Sequence, residues 1–457
     1  MIQFPASLAF VHALQQQGAV VYMVGGTVRD ELLGRPRKDL DLLVSGLPQP
    51  VLIRALRPHG RLQLTGRAFG VIKFLPHGWE GPPVDIALPR REVSTGIGHR
   101  DFAVTFDHTL PIEADLGRRD FTINAMAINL ANGQLLDPFA GHHDLQQRLL
   151  RQVSPQAFPE DPLRMLRGIQ LAARFGLHIE AETRAAMCLH AATISSVAAE
   201  RIAEELRKLL QATSPSQGFR AMQTVGLLEH LIPELARTAG QPAHFSHTLR
   251  RLDAGQQCPL LRHRGDLDLL LSTLFWDSRC AEQGQEARLL SSAVATAAQQ
   301  RLLALKVTTI GAHPDLIAAL LNHMARELSL LDSPAALRHF ASEVGLHEVS
   351  LLWDLHIADQ VSATPRRAVD AILMLRQHLQ AEIDRQAPLT LKALAINGHD
   401  LQQLGVPAGP QLGQLLQHLL SQVLDEPQRN TRSHLLTLAR QFAQQPDAAP
   451  APLGQAR

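Results

Sequence analysis

The chain reads as an α+β protein in two parts, a small N-terminal mixed sheet with helices followed by an elongated all-helical remainder. Three observations predict this. Short β-branched runs separated by Gly and Pro occupy residues 19–88. From Leu145 to Phe442 the strand signal gives way to helical patterns punctuated by Pro and Gly, with no clean repeat period. Hydrophobic residues make up 45% of the chain but aromatics only 4%, a balance that suits helical bundles better than sandwiches or barrels. At 457 residues the chain exceeds one ordinary core, so two or more domains are expected.

Residues 2–17 have helical spacing and are expected to cover one face of the sheet. Residues 19–44, AVVYMVGGTVRDELLGRPRKDLDLLV, then read as a strand ending in Gly25-Gly26, a short helix stopped at Gly34, a basic loop and a second strand. The second strand carries Asp39 and Asp41, and i and i+2 in a strand project from one face. Carboxylates facing one way repel unless a cation sits between them, and hard oxygen ligands suit Mg²⁺. The glycine pair strips side chains from a strand-to-helix turn, where backbone N–H groups can cradle phosphate. Taken singly, these pieces are equally a plain turn and a solvated edge. Together they are the equipment of phosphoryl or nucleotidyl transfer.

Residues 61–65, 71–75 and 84–88 extend the sheet, with Gly66–Gly70 as a turn between two of them. In the last, Asp85 stands among apolar residues and either faces a metal cleft as a third carboxylate or lies on an edge in water. Residues 89–115 are Gly- and charge-rich without periodicity and read as a long loop. Net charge is +1, so a nucleic-acid partner would be held by local patches and shape. Cys188, Cys258 and Cys280 show neither pairing nor metal-ligand spacing, which fits a reducing cytosol. With no signal-peptide pattern or membrane-length apolar run, a soluble cytoplasmic protein is expected.

GGTVRDELLG followed by DLDLLV resembles the nucleotidyltransferase signature of the polymerase-β superfamily, in the form used by tRNA nucleotidyltransferases and bacterial poly(A) polymerases. Three later stretches extend the resemblance. RRDFTINAMA, residues 118–127, matches the family's second motif, which implies that Arg119 contacts the triphosphate and Asp120 helps select ribose. Residues 137–145, DPFAGHHDL, resemble its third motif, a mechanical hinge in which Asp144 is expected to cap the next helix. FPEDPLRMLR, residues 158–167, resembles the base-selecting motif: Asp161 and Arg164 would pair with the incoming base, with Arg167 supporting them. As residues alone, Asp161, Arg164 and Arg167 are also a capped helix with a stabilising Asp–Arg pair. The family often has another Arg where this chain has Gln170, a place Arg174 could fill. AERIAEEL, residues 199–206, resembles the neck-closing helix, and INGHDL with the helix after it, from residue 396, resembles a bacterial tail whose Arg429, Arg432, Arg440 and His434 could meet tRNA phosphates.

The resemblance implies a class II tRNA nucleotidyltransferase. It implies a polymerase-β-like head (1–140), a neck (141–212), a body (213–333), a tRNA-binding tail (334–443) and a disordered end (444–457). Asp39 and Asp41, with Asp85, would hold two Mg²⁺ ions, while Gly25, Gly26, Arg29, Arg119, Asp120, Asp161, Arg164 and Arg167 would bind the nucleotide. CTP and ATP would be substrates and tRNA, at its 3′ end and elbow, the partner; monomer and dimer stay open. The full-length run of residues 89–115 argues against CC-only addition but leaves A-only open. Poly(A) polymerase and a silent RNA-binding scaffold are the rival readings.

Overall fold

The computed structural model describes residues 9–36, 39–65, 71–94, 102–276, 286–324, 326, 328–363 and 368–443. The expected turn at Gly66–Gly70, Cys280 and residues 444–457 lie outside them.

Among the described residues, nine strands form the N-terminal part: β1 (Val20–Val24), β2 (Asp41–Ser45), β3 (Gly60–Thr65), β4 (Val71–Pro76), β5 (Val84–Ala87), β6 (Arg90–Ser94), β7 (Phe102–Phe106), β8 (Ala127–Asn129) and β9 (Leu135–Leu136). Seven of them make one mixed sheet in the order β3-β4-β5-β2-β1-β8-β9. Strand β2 runs antiparallel to β1 and parallel to β5, in a register that sets Asp41 beside Asp85. The strand itself begins at Asp41, so Asp39 lies just ahead of it rather than inside.

Helices α1 (Ala9–Gln16), α2 (Gly26–Leu32) and α3 (Gln49–Leu56) alternate with the first strands. Phe10 of α1 meets Phe74 of β4 edge-on with ring centroids 4.9 Å apart, so this helix covers the sheet as its spacing predicts. The expected long loop at residues 89–115 is instead a β-ribbon and a helix. Strands β6 and β7 pair antiparallel from Arg90↔Phe106 to Ser94↔Phe102, and α4 (Ile112–Gly117) follows. Charged residues in β6 diluted the strand signal, while Phe-Ala-Val-Thr-Phe in β7 does carry it. Ile112 and Leu116 of α4 then pack with Val24, Leu43, Ala125 and Ala127 in one buried cluster that ties the ribbon's exit to the sheet.

Past the sheet come α5 (Gly141–Gln146), α6 (Ala157–Glu160), α7 (Leu163–Phe175), α8 (Ala181–His190) and α9 (Ala199–Leu210). Helix α7 buries nine of its thirteen residues. At Gly168 a Cβ would lie 2.5 Å from Phe121 Cζ and 2.9 Å from Met187 Cε, so the missing side chain is what admits Phe121 against the helix.

Contacts divide the chain into two units, Met1–Pro242 with Arg301–Gly311, and Ala243–Gln300 with Ala312–Arg457. The second is helical and built around leucines and the fully buried Trp353. Its buried carboxylates are paired: Asp359 with Arg251, Asp354 with His263 and Arg376, Glu382 with Arg338. Asn397 and Asp400 form a reciprocal capping box at the start of the helix Gly398–Gln403. Arg432 is bound to Asp400 (2.6 Å) and Arg429 to Glu426 (2.6 Å), so neither expected phosphate contact is without a carboxylate here. No helix among the described residues is long and apolar enough to cross a membrane.

Candidate active site

Thr27, near the start of α2, holds the two aspartates in place. Its hydroxyl donates to the Asp39 carbonyl (3.3 Å) and accepts from the Asp41 backbone N–H (3.2 Å). The Asp41 carboxyl is pushed up to about 6, first by burial and then by the charges of Asp85 and Asp39, with Arg119 and Arg167 pulling the other way. Asp85 turns its carboxylate to Lys73 Nζ, at 3.0 and 3.3 Å. Among the described residues no three acidic, His or Cys side chains converge to hold a metal ion. The donor chemistry nevertheless fits a hard divalent cation: oxygen donors of one sign raise each other's proton affinity, and a cation would relieve that.

Gly25 sits in the left-handed region at φ 69°, and a Cβ there would lie 2.7 Å from Arg119 Nη1. The glycine therefore serves two ends at once, a backbone turn no L side chain favours and a seat for the arginine. Gly26 begins α2, which has no side-chain cap. Arg119 Nη2 donates to Asp115 Oδ2 (3.2 Å), and Arg118 Nε to Asp115 Oδ1 (3.0 Å). Asp115, completely buried, orients both arginines. Sequence reading missed it by ending the loop there, although Asp115, Arg118 and Arg119 stand at the i, i+3, i+4 spacing of a helical ion pair.

Asp120 is buried and fully engaged. Its Oδ2 accepts from Arg167 Nε (2.5 Å), and its Oδ1 from the Phe121 N–H (2.8 Å) and Asn124 Nδ2 (3.1 Å). Burial alone would raise its pKa; Arg167, Asn124, the Phe121 amide and Arg164 outweigh that and hold it below the ordinary carboxylate value. Arg167 thus makes its bond to Asp120, with the charge of Asp161 also acting on it. Asn124 passes the network on, accepting from Arg29 Nη1 (2.7 Å). Arg29 is buried, bonded to Asp30 (2.8 Å), and its Cζ lies 4.3 Å from the centre of the Phe175 ring on α7. It links α2 to Asn124 and to α7, a placement its expected nucleotide role did not anticipate.

Asp161 precedes Pro162 and the start of α7, and its Oδ1 accepts from the Leu163 N–H (3.2 Å). Its Oδ2 takes Arg201 Nη2 of α9 at 2.7 Å, a partner sequence reading did not single out even though AERIAEEL contains it. Arg164 Nη2 donates to the Arg118 carbonyl (2.9 Å), and its Nη1 to Ala157 O (3.2 Å) and Glu160 Oε2 (3.2 Å). The base-selecting candidates are therefore bonded to the phosphate-contact candidates through the main chain. Gln170 is buried and accepts from Arg174 Nη1 at 3.3 Å. The expected cap at Asp144 is corrected: Asp137 accepts from the Gly141 and His142 N–H groups at the start of α5. Asp144 lies inside that helix, buried against Thr122 (2.8 Å) and Arg151 (3.1 Å).

Three family models match the chain: "Poly A polymerase head domain" over residues 21–151, "Probable RNA and SrmB- binding site of polymerase A" over 176–238, and tRNA nucleotidyltransferase domain 2 over 344–439. The stretch that carries the candidate site, residues 21–151, is thus similar to poly(A) polymerase head domains. Among curated relatives, the multifunctional CCA protein of Xylella fastidiosa strain M23 is 43% identical over 231 residues, 50% of this chain and 53% of that protein. That of Xanthomonas campestris pv. campestris strain B100 is 40% identical over 227 residues, 49% and 53% of the two chains. The chain thus spans about half the length of the curated relatives it matches. The Bacillus stearothermophilus CCA-adding enzyme, solved with CTP, shares the fold over 96% of this chain and 98% of its own, with a TM-score of 0.70 at 23% identity. The Thermotoga maritima CCA-adding enzyme, solved with tRNA, covers 95% and 94% with a TM-score of 0.59 at 22% identity.

Proposed function

We propose that this chain is a class II CCA-adding tRNA nucleotidyltransferase, acting in the cytoplasm. It would extend the 3′ end of tRNA with CTP and ATP without a nucleic-acid template. The observation that carries the reading is the 2.9 Å hydrogen bond from Arg164 to the Arg118 carbonyl, which joins the base-selecting candidates to the phosphate-contact candidates. Relatives described as multifunctional CCA proteins, and neighbours of the same fold solved with CTP, ATP or tRNA, support it.

Asp161 and Arg164 would read the base. A carboxylate only accepts and a guanidinium only donates. Cytosine and adenine each pair an exocyclic amine with a ring-nitrogen acceptor, which complements the two side chains; uracil and guanine invert the pattern. Arg119, seated on Gly25 and braced by Asp115, would take the triphosphate, with Arg118 beside it on the same acid. Asp120, kept ionised by Arg167, would accept from a ribose hydroxyl. Asp39 and Asp41, with Asp85, would hold Mg²⁺, which when bound lowers the pKa of a coordinated hydroxyl and neutralises charge on departing pyrophosphate. Residues 334–443 would grip the tRNA elbow.

Extension of three tRNA transcripts, ending at the discriminator base, at C and at CC, tests the proposal. Each is offered labelled CTP, ATP or both, with Mg²⁺. Completion of all three to CCA is the expected result. Extension of the CC-ended transcript alone would mean an A-adding specialist, long A-tracts a poly(A) polymerase, and no incorporation a silent RNA-binding protein.

A further inference from the structure

Three guanidinium groups surround one aromatic ring at the far end of α2. The Cζ atoms of Arg29, Arg35 and Arg174 lie 4.3, 4.6 and 5.4 Å from the centre of the Phe175 ring. A phenyl ring attracts a nearby cation, but three like charges around one ring repel each other. Asp30 answers Arg29 alone. Among the described residues neither Arg35 nor Arg174 has a carboxylate partner, and the bond from Arg174 goes to the neutral amide of Gln170. Arg35 is exposed and Phe175 half-buried, so the cluster is open to solvent on the Arg35 side. The arrangement is therefore short of negative charge at a point where two of its guanidiniums have donors to spare.

We propose that Arg35 and Arg174, framing Phe175, form a binding site for a backbone phosphate of tRNA. The inference rests on the tRNA reading given above and names a contact surface for it. Guanidinium forks match the oxygens of a phosphodiester, and each would donate to it directly. Arg29, buried beneath them, adds field without reaching solvent. The site is distinct from the triphosphate position at Gly25, which lies at the opposite end of the seven-residue α2, roughly 10 Å away at 1.5 Å per residue. With a net charge of only +1, the protein has no global field to draw in a polyanion, and patches of this kind must supply the attraction.

The test uses the full chain and a tRNA transcript, comparing wild type with Arg35→Ala, Arg174→Ala and the double variant. The dissociation constant is measured from 50 to 300 mM salt, and the Michaelis constants for CTP and ATP at saturating tRNA. Each lost phosphate contact is expected to weaken tRNA binding several-fold and to flatten the log–log salt slope by about 1, and the double variant by about 2. For Arg35→Ala the Michaelis constants are expected to hold. Unchanged slopes in variants that fold, while the wild type binds tRNA, would overturn this site and leave the proposed function standing. Raised Michaelis constants with tRNA affinity intact would assign the cluster to the nucleotide's own phosphates, also overturning it. A wild type that shows no salt-dependent tRNA binding would overturn both readings. Arg35 is exposed, so its single variant carries the test should Arg174→Ala fail to fold.

Discussion

Asp41 and Asp120 are carboxylates of the same unit, both withdrawn from water, and their surroundings act on them in opposite senses. Asp41 is raised to about 6 because burial and the neighbouring Asp85 and Asp39 all disfavour its charge. Asp120 suffers burial too, but Arg167, Asn124 and a backbone N–H more than repay it, and its pKa is lowered. The difference separates two uses of a buried acid. One whose charge its surroundings disfavour is where a bound cation would bring the most relief. One that the protein pairs with its own cation and donors stays ionised, with an acceptor site left for a substrate hydroxyl.

The contrast can be broken most decisively at Asp41. Asp41→Asn is expected to abolish Mg²⁺-dependent incorporation into tRNA while raising the melting temperature in chelating buffer, because it removes an unfavourable buried charge. Lost activity together with lost stability would erase the distinction. Asp120→Asn should do the reverse to stability. It leaves Arg167 without its counter-charge and should cost about 1–3 kcal/mol, read as a lower urea midpoint at an unchanged slope.

The two acids should also differ with pH. Asp120 has a lowered folded pKa, so its stabilisation is present above the unfolded value near 4 and is lost as pH falls below it. Asp41 has a raised folded pKa, so its ionisation costs stability as pH rises from about 4 through about 6. In metal-free buffer the stability difference between wild type and Asp41→Asn should therefore widen from pH 4 to pH 7 and then level. A flat difference would mean that Asp41 titrates normally.

A smaller effect is expected at the base-selecting end. Arg201→Ala frees one oxygen of Asp161 and should relax discrimination of CTP and ATP against UTP and GTP by several-fold, with Arg201→Lys restoring part of it. Unaltered discrimination would make the Arg201–Asp161 pair purely structural.

The carboxylates of β2 and β5, the glycine turn and the base-selecting helix were legible because each announces itself within a few residues: alternation, a Gly pair, an Asp-Pro start. The partners were not. Asp115, Asn124 and Arg201 acquire their roles through contacts with other segments, and Arg201 reaches Asp161 from 40 positions away. The β6–β7 ribbon escaped because its charged first strand has no apolar face to read, while its second, Phe-Ala-Val-Thr-Phe, was overshadowed by the loop composition around it. Asp144 was placed as a cap from its position ahead of the next helix, whereas Asp137, seven residues earlier, makes the bonds. Local patterns name the elements; only packing names who braces whom.

The bond from Arg164 to position 118 ends on a main-chain carbonyl, not on a side chain. Every residue type offers that carbonyl. Substitution at position 118 can therefore alter the grip on Asp115, and through it the proposed triphosphate contact at Arg119, without severing the tether to the proposed base-selecting helix. Evolution can tune turnover at this position independently of nucleotide choice, and a saturation library at residue 118 should yield variants that differ in rate yet share one pattern of base preference.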